Sequence, residues 1–304
     1  MRERFAKKVQ CLSSGKKIAA SEKAKAVIEL RPKFDLELLL SQTNMARSSY
    51  YYHEKTSKLT DKYKEIKEQI KKIYYHHKGR FGYRRITSEL KKMGIEINHK
   101  TVLRLMKVIG LKSLIRVKKY KSYKGEQGKI VPNILNREFK ATQPNKKWAT
   151  DVTEFNVSGK KIYLSPIIDL FNGEIISYDL SESPNFKQVT TMLSKSFRKI
   201  PKDTNLILHS DQGWQYQMKQ YQALLEKKGI IQSMSRKGNC LDNAVIENFF
   251  GIIKSELFYI NKFSSIKHLK KEIIEYITYY NNERIKLNLN GMSPINYRAH
   301  YYQN

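Results

Sequence analysis

The 304-residue chain is poor in cysteine, in long apolar runs and in acidic side chains. Its two cysteines, Cys11 and Cys240, lie far apart, which excludes a disulfide framework and a zinc site built on cysteine. No apolar run is as long as a membrane-spanning helix, and the first thirty residues lack the apolar stretch of a signal peptide. We therefore expect a soluble protein from a reducing, intracellular compartment.

Positive charge is what the chain has in excess. Lysine and arginine total 58 against 28 aspartate and glutamate residues, a net charge of +30. This excess favours a polyanionic partner, because neutralising phosphates releases condensed counterions. Nucleic acid is the first candidate; an anionic membrane is the second, although a basic amphipathic anchor is missing. The net charge is +23 over residues 1–140 and +7 over residues 141–304, so we expect binding in the first part and an enzyme core in the second.

The first part of the chain is predicted to be helical. Residues 1–30 are rich in lysine and form either a basic arm or a short helix. Residues 31–58 have the pattern of two short helices around a polar turn, which is typical of a helix-turn-helix; a plain helical hairpin is the alternative. Residues 59–115 contain further helical segments, broken at Gly79 and Gly82, and are predicted to form a helical DNA-binding domain.

Basic side chains of this domain are the candidate DNA contacts. Apolar residues recur at helical spacing, so the charged residues between them lie on faces that the core leaves to solvent. The alternative is that these faces are merely solvated. The candidates are Arg84, Arg85, Lys100, Arg104 and Lys107. A basic linker with interspersed aromatic residues follows over residues 116–145.

The periodicity changes at Trp148, where strand-like alternation begins. Further strand-like runs follow, and Asn172-Gly173 predicts a hairpin turn between two of them. The order β-β-β-α-β-α-β-α-α predicts an α/β fold, with a mixed five-stranded sheet and helices on both faces. We assign this core to residues 146–260 and a helical extension to residues 261–304.

Three carboxylates stand at the edges of these elements. They are Asp151 in WATDVTEF, Asp211 in HSDQGWQY and Glu247 in DNAVIENFF, with thirty-five residues between the last two. Functional groups gather at strand ends and adjoining helices of such sheets, so we expect the three to converge. Carboxylate oxygens suit Mg²⁺ or Mn²⁺. Two such ions, about 3.5–4 Å apart, can hold the attacking and leaving oxygens of a phosphoryl transfer, with Asp151 bridging them.

Other polar residues near these acids have simpler explanations. Asp169 is expected to support a turn or a hydrogen bond, and strand alternation turns Glu154 away from Asp151. His209 and Asn243 are expected to pack next to the three carboxylates and help to hold them in place. Helix capping is the alternative for Asn243.

Four stretches, in order, resemble the DDE transposases of bacterial insertion sequences, in particular the second-reading-frame product whose core is similar to retroviral integrases. They are W-A-T-D-V-T, H-S-D-Q-G-x-Q-Y, S-R-K-G-N-C-x-D-N-A and E-x-F-F-x-x-x-K-x-E. The later run YYNNERIKLNLNGMSPINY resembles the end of these proteins. The resemblance implies a ribonuclease-H-like core in which Asp151, Asp211 and Glu247 are catalytic and hold two Mg²⁺ or Mn²⁺ ions.

The resemblance also implies a function. Such an enzyme binds the ends of its element, cuts DNA strands to free 3′-hydroxyls and joins these to other DNA. Lys254, seven residues after Glu247 on the same helix face, would contact DNA, with Arg236 and Lys237 as further candidates. The partners would be double-stranded DNA, as terminal inverted repeats and as target, and further copies of the chain. The place of action would be the nucleoid in a bacterial cytoplasm.

Two other functions stay open on the sequence alone. The chain could be a DNA-binding regulator of the element with an inactive core, or a metal-dependent nuclease that cuts without joining. The complete set of three acids argues against an inactive core. The strongly basic helical first part favours recognition of specific DNA ends over a nuclease.

Overall fold

The computed structural model contains two compact units, which divide between Gln69 and Ile70. Within the described ranges, no helix is long and apolar enough to cross a bilayer. The described residues are 19–58, 61–114, 131–200, 205–236 and 240–303, without the side chains of residues 57–58 and 240–241.

Up to Lys58, the described part of the first unit contains α1 (Ala20–Leu30), α2 (Leu36–Thr43) and α3 (Arg47–Lys58). Asp35 caps α2, because its side chain accepts a hydrogen bond from the backbone N–H of Glu37 at 2.8 Å. All three helices contribute buried side chains to one small core: Ala24, Val27, Leu36, Leu39, Leu40 and Tyr50. The short helix that we considered for residues 1–30 corresponds to α1, which shares a core with α2 and α3. Residues 1–18 of the predicted arm lie outside the described residues.

Three further helices occupy the range predicted for the DNA-binding domain: α4 (Lys64–His76), α5 (Tyr83–Lys92) and α6 (His99–Val108). Gly79 follows α4 with a φ of 74°, a left-handed conformation that favours glycine. Asn98 caps α6 by accepting a hydrogen bond from the N–H of Lys100 at 2.8 Å. Apolar side chains at helical spacing are buried on α5 and α6: Ile86, Leu90, Val102, Leu105 and Met106.

The sheet contains β1 (Lys147–Thr150), β2 (Thr153–Val157), β3 (Lys160–Asp169), β4 (Ile175–Ser181), β5 (Ile207–Ser210) and β6 (Ile231–Met234). β1 and β2 both run antiparallel to β3, and the register does not slip between them. They are therefore two halves of one strand, interrupted at Asp151 and Val152. β4 pairs with the other edge of β3, while β1, β5 and β6 are parallel neighbours. The predicted mixed sheet is confirmed, but it contains six strands where five were predicted, because the first predicted strand is interrupted.

Five helices accompany the sheet: α7 (Phe186–Phe197), α8 (Lys219–Glu226), α9 (Ala244–Ile253), α10 (Ile266–Asn282) and α11 (Pro294–Gln303). Successive side chains of β3 point to opposite faces of the sheet and join two apolar layers. Ile167 packs with residues of α7 and α8, and Ile168 packs with residues of α9 and α10. The layer under α10 contains Leu269, Ile273, Tyr276, Ile277 and Tyr280. The range predicted as a helical extension, residues 261–304, contains α10 and α11, and α10 supplies part of the core.

The last part of the predicted linker, from residue 131 onward, packs against the catalytic core. Leu135 is buried in the apolar layer that contains α9. The backbone N–H groups of Ile134 and Leu135 donate to Ser233 Oγ at 3.0 and 3.2 Å. Residues 115–130 lie outside the described residues, so the linker prediction now concerns that stretch alone.

The surroundings of Lys286, which follows α10, lower the pKa of its side chain. The Lys286 ammonium donates hydrogen bonds to the carbonyl oxygens of Asn172 and Gly173, both at 3.2 Å. Burial lowers the pKa of Lys286 to about 7, with smaller contributions from the charges of Arg284 and Arg85. Lys286 is thus a base that the folded protein protonates less readily than the unfolded chain does.

We expect Lys286→Met to flatten the pH dependence of stability above neutrality. The pKa of Lys286 is about 7 in the folded protein against 10.5 ordinarily, so unfolding takes up a proton between these values. The free energy of unfolding of the wild type should therefore rise with pH over this window. Urea unfolding between pH 7 and pH 10 measures the slope. The exposed Lys262→Met is the control and should keep the wild-type slope; equal slopes in all three proteins would contradict this assignment.

Candidate active site

Asp151 and Asp211 lie side by side because of the register of two parallel strands. β1 and β5 pair with Ala149 opposite His209, and each aspartate lies two residues further on, just after its strand ends. Glu247 is in the first turn of α9, and its charge acts on Asp151. The structure therefore brings the three predicted carboxylates together.

The two aspartates resist ionisation. Burial raises the pKa of Asp151 well above its usual range, and the charges of Asp211 and Glu247 raise it further. The Lys254 ammonium acts in the opposite sense. Burial also raises the pKa of Asp211, against a hydrogen bond donated by the backbone N–H of Gly213 at 2.9 Å. Without a cation, the surroundings of the two aspartates therefore favour their protonated forms.

This donor set fits a divalent cation. All three side chains are carboxylates, and Mg²⁺ and Mn²⁺ prefer oxygen ligands. A cation bound among these half-buried acids would stabilise their ionised forms, so its binding would release protons and strengthen as pH rises. The residues that could hold such ions are Asp151, Asp211 and Glu247.

Local backbone structure orients the side chains of both Asp151 and Asp211. Where the first strand is interrupted, Asp151 Oδ1 accepts a hydrogen bond from the N–H of Val152 at 2.7 Å. After β5, the loop folds back so closely at Gly213 that an added Cβ would stand 2.9 Å from Asp211 Oδ1. A larger residue at this position would force the side chains of Asp211 and Gln215 to shift. The next residue, Trp214, is 53% exposed and so presents a large aromatic surface beside the acids.

The start of the helix that carries Glu247 is held by Asp242. This fully buried carboxylate accepts hydrogen bonds from Arg236 Nε at 3.0 Å, from Arg137 Nε at 2.9 Å and from Asn133 Nδ2 at 2.9 Å. Hydrogen bonds from Arg236, and then from Arg137, keep the pKa of Asp242 well below its usual range. This role could not be predicted from the sequence, because Asn133 and Arg137 lie more than 100 positions before Asp242.

The supporting residues are placed as follows. Asn243 is the N-cap residue of α9 and is buried, but its side chain makes no capping hydrogen bond, so the capping interpretation is wrong. The buried His209 places Nδ1 2.9 Å from Ser233 Oγ, and burial lowers its pKa. Asp169 accepts hydrogen bonds from Arg298 at 2.6 Å and from two backbone N–H groups, as expected of a structural acid. Glu154 is exposed and pairs with a lysine at 3.1 Å.

The predicted DNA contacts fall into different surroundings. Arg84 is exposed, but its neighbour Arg85 is largely buried and lies 3.5 Å from Glu256. Arg236 binds Asp242, and Lys237 lies outside the described residues. The exposed basic side chains of α6 are those of Lys100, Arg104 and Lys107.

Lys254 lies close to the acids. Its ammonium is 5.5 Å from the centre of the Phe155 ring, and its charge lowers the pKa of Asp151. The helix that carries Glu247 therefore also brings a cation to the site. A phosphate held there would meet both the acids' metal and this ammonium.

The chain is similar in sequence to known proteins. The profile of the integrase core domain matches residues 141–240 and 247–301, and that of an HTH-like domain matches residues 62–119. The chain is 54% identical over 278 residues to a protein named as transposase InsK for insertion sequence element IS150 of Escherichia coli (strain K12), covering 91% of this chain and 98% of that one. It is 37% identical over 244 residues to the transposase for insertion sequence element IS904 of Lactococcus lactis, covering 80% and 96%.

Among solved structures, the HTLV-2 integrase catalytic core domain in complex with magnesium (dimeric form) is similar to part of the chain. The TM-score is 0.39 at 16% identity, covering 52% of this chain and 98% of that one.

Proposed function

Because the chain belongs to the insertion-sequence transposases with an integrase core, we propose that it cuts DNA at the ends of its element and joins the freed 3′-hydroxyls to target DNA. The observation that carries this proposal is the convergence of Asp151, Asp211 and Glu247 at the ends of β1 and β5 and the start of α9. A pair of DNA ends has to be held together for joining, so the working form is an assembly of several copies on DNA.

The residues divide the chemistry as follows. Asp151, Asp211 and Glu247 hold two Mg²⁺ or Mn²⁺ ions, which when bound supply Lewis-acid stabilisation of the phosphoryl oxygens. Lys254 adds a positive charge beside the scissile phosphate. In cleavage, water attacks phosphorus and the 3′ oxygen leaves as a hydroxyl. In joining, that hydroxyl attacks a target phosphate, and the target strand's own 3′ oxygen leaves.

The proposal is tested by incubating the full chain with Mn²⁺ and an end-labelled duplex of the element's terminal repeat. We expect nicked strands at the repeat end, followed by longer joined products. Glu154→Gln, which removes an exposed carboxylate next to the site, is the control and should act as the wild type. Nicks without joined products would identify a nuclease, and binding without nicks would identify a regulator; both outcomes would overturn the proposal.

We propose that α6 supplies the main DNA-binding surface. Lys100, Arg104 and Lys107 are four and three positions apart, which places them on one side of the helix, and all three are exposed. The opposite side of α6 is buried through Val102 and Leu105. A helix anchored on one side and cationic on the other suits the groove of a duplex.

Replacing Lys100, Arg104 and Lys107 together with alanine should weaken DNA binding by about tenfold or more. Each cation that contacts a phosphate contributes about one unit to the slope of log affinity against log salt, so that slope should fall by up to about three. Fluorescence anisotropy across a salt series measures both quantities. The matched control replaces the exposed Lys219, Lys227 and Lys262 of the core. Equal loss in both triple variants would show that only net charge matters.

A further inference from the structure

Glu256 is a buried acid that the proposed chemistry does not use. It lies in a π-helical turn (Lys254–Phe258) that continues α9, and only 1% of its surface is exposed. Arg284 binds it through two hydrogen bonds, from Nε to Oε2 at 2.9 Å and from a terminal nitrogen to Oε1 at 2.7 Å. The Tyr276 hydroxyl donates a third at 2.9 Å. π-Helical turns are frequent at functional sites.

Two arginines of the HTH-like domain reach the same residue. Arg85, in the first turn of α5, places a terminal nitrogen 3.5 Å from Glu256 Oε1. Arg80 Nε donates to the backbone carbonyl of Glu256 at 3.2 Å, and its guanidinium lies over the Tyr276 and Tyr279 rings. The HTH-like domain therefore contacts the catalytic helix through its C-terminal continuation.

The Arg85–Glu256 contact lies on the same continuous helix as Glu247 of the active site. Glu247 is in the first turn of α9, and Glu256 follows nine positions later without a break in the helix. Lys254, two positions before Glu256, acts on Asp151, whereas Glu256 faces the arginines. Residues two apart on a helix point to opposite sides. The turn thus joins the active-site side of the helix to the DNA-binding domain.

The arginines hold Glu256 with different strength. Burial alone would raise the pKa of Glu256, but hydrogen bonds and charge from Arg284, together with the charge of Arg85, lower it, so the carboxylate is ionised. Arg284 makes two short hydrogen bonds, while Arg85 makes one longer contact and keeps 20% of its side chain exposed. The Arg85 contact can therefore change while Arg284 still neutralises the acid.

We propose that Glu256 is a positioning residue, and that its contact with Arg85 transmits DNA binding by the HTH-like domain to the placement of Glu247. The inference rests on the proposed strand-transfer function. It assigns Arg85 to the coupling of binding with chemistry, whereas the adjacent Arg84 stays a DNA contact. Misplacing a reacting group by about 1 Å costs up to about 100-fold in rate, so a modest shift of α9 is enough.

The test compares Arg85→Gln with Arg84→Gln in the full chain. Arg85→Gln should lower the cleavage rate at saturating terminal-repeat duplex by about 10- to 100-fold, with the affinity for that duplex kept. It should also raise the Mn²⁺ concentration that half-maximally shifts the melting temperature without DNA, because Glu247 is held less well. Arg84→Gln should instead weaken DNA binding. Arg198→Gln, at an exposed arginine of the core, should behave as the wild type.

The outcomes separate a positioning role from a structural one. Arg85→Lys should recover part of the rate, since it restores the charge opposite Glu256. Should Arg85→Gln fail to fold, the milder Arg85→Lys carries the same rate and Mn²⁺ measurements. Wild-type cleavage and wild-type Mn²⁺ response in the Arg85 variants would overturn the coupling while leaving the proposed function intact. A wild type that binds the duplex and never cuts it would overturn the proposed function instead.

Discussion

Asp151→Asn is expected to abolish strand cleavage and strand joining while DNA binding persists. The substitution keeps the size of the side chain and removes the charge that a divalent ion requires. Groups that only orient a metal's ligands cost about 10–100-fold when lost, so loss of a ligand itself should exceed roughly 100-fold. A gel assay with labelled terminal-repeat duplex and Mn²⁺ measures the rate, and anisotropy measures the binding.

The same substitution should make the metal-free protein more stable. The pKa of Asp151 is raised by burial and by its acidic neighbours, so keeping it ionised at neutral pH costs folding free energy. That cost appears as pH rises through the raised pKa, and asparagine does not carry it. We therefore expect a higher melting temperature without metal and a smaller shift on adding Mn²⁺. Glu154→Gln should change neither. A wild-type cleavage rate in Asp151→Asn would remove this residue from the mechanism.

Arg284→Leu should strongly destabilise the unit that contains the catalytic core. It leaves the buried Glu256 carboxylate without its two-bond partner. Breaking a buried ion pair from one side costs about 3–5 kcal/mol. Urea unfolding of the full chain measures the change.

A second variant separates the charge from the lost packing. Replacing both Glu256 and Arg284 with leucine removes the uncompensated acid, so the double variant should be more stable than Arg284→Leu alone. Arg198→Leu, at an exposed arginine, should cost little. A double variant less stable than the single one would show that shape, and not charge, holds this region together.

Much of the catalytic core was predictable because its signals are local. Strand alternation after Trp148 and the Asn172-Gly173 turn indicated the hairpin, and the order of strands and helices indicated a mixed sheet. The placement of Asp151 and Asp211 followed from the rule that functional groups gather at strand ends. What alternation could not show is that the first strand is interrupted at Asp151, since pairing resumes in the same register.

The missed features depend on partners far apart in sequence. Arg84 and Arg85 look alike in the chain, and only the fold places Glu256 next to the second of them. Asp242 binds Arg137 and Arg236, and nothing local in the sequence marks either pairing. We predicted α10 as part of an extension, because the sequence of an amphipathic helix does not show which apolar layer the helix packs against.

The pairing of β1 with β5 determines where the chain can accept inserted residues. Adjacent strands lie about 4.8 Å apart, so backbone hydrogen bonds set the spacing of Asp151 and Asp211. Residues added to the exposed connection at 182–185 leave that spacing alone. One residue added inside either strand would turn one carboxylate to the opposite face of the sheet. We therefore expect insertions at 182–185 to be tolerated, and a single residue inserted within β1 or β5 to inactivate the site.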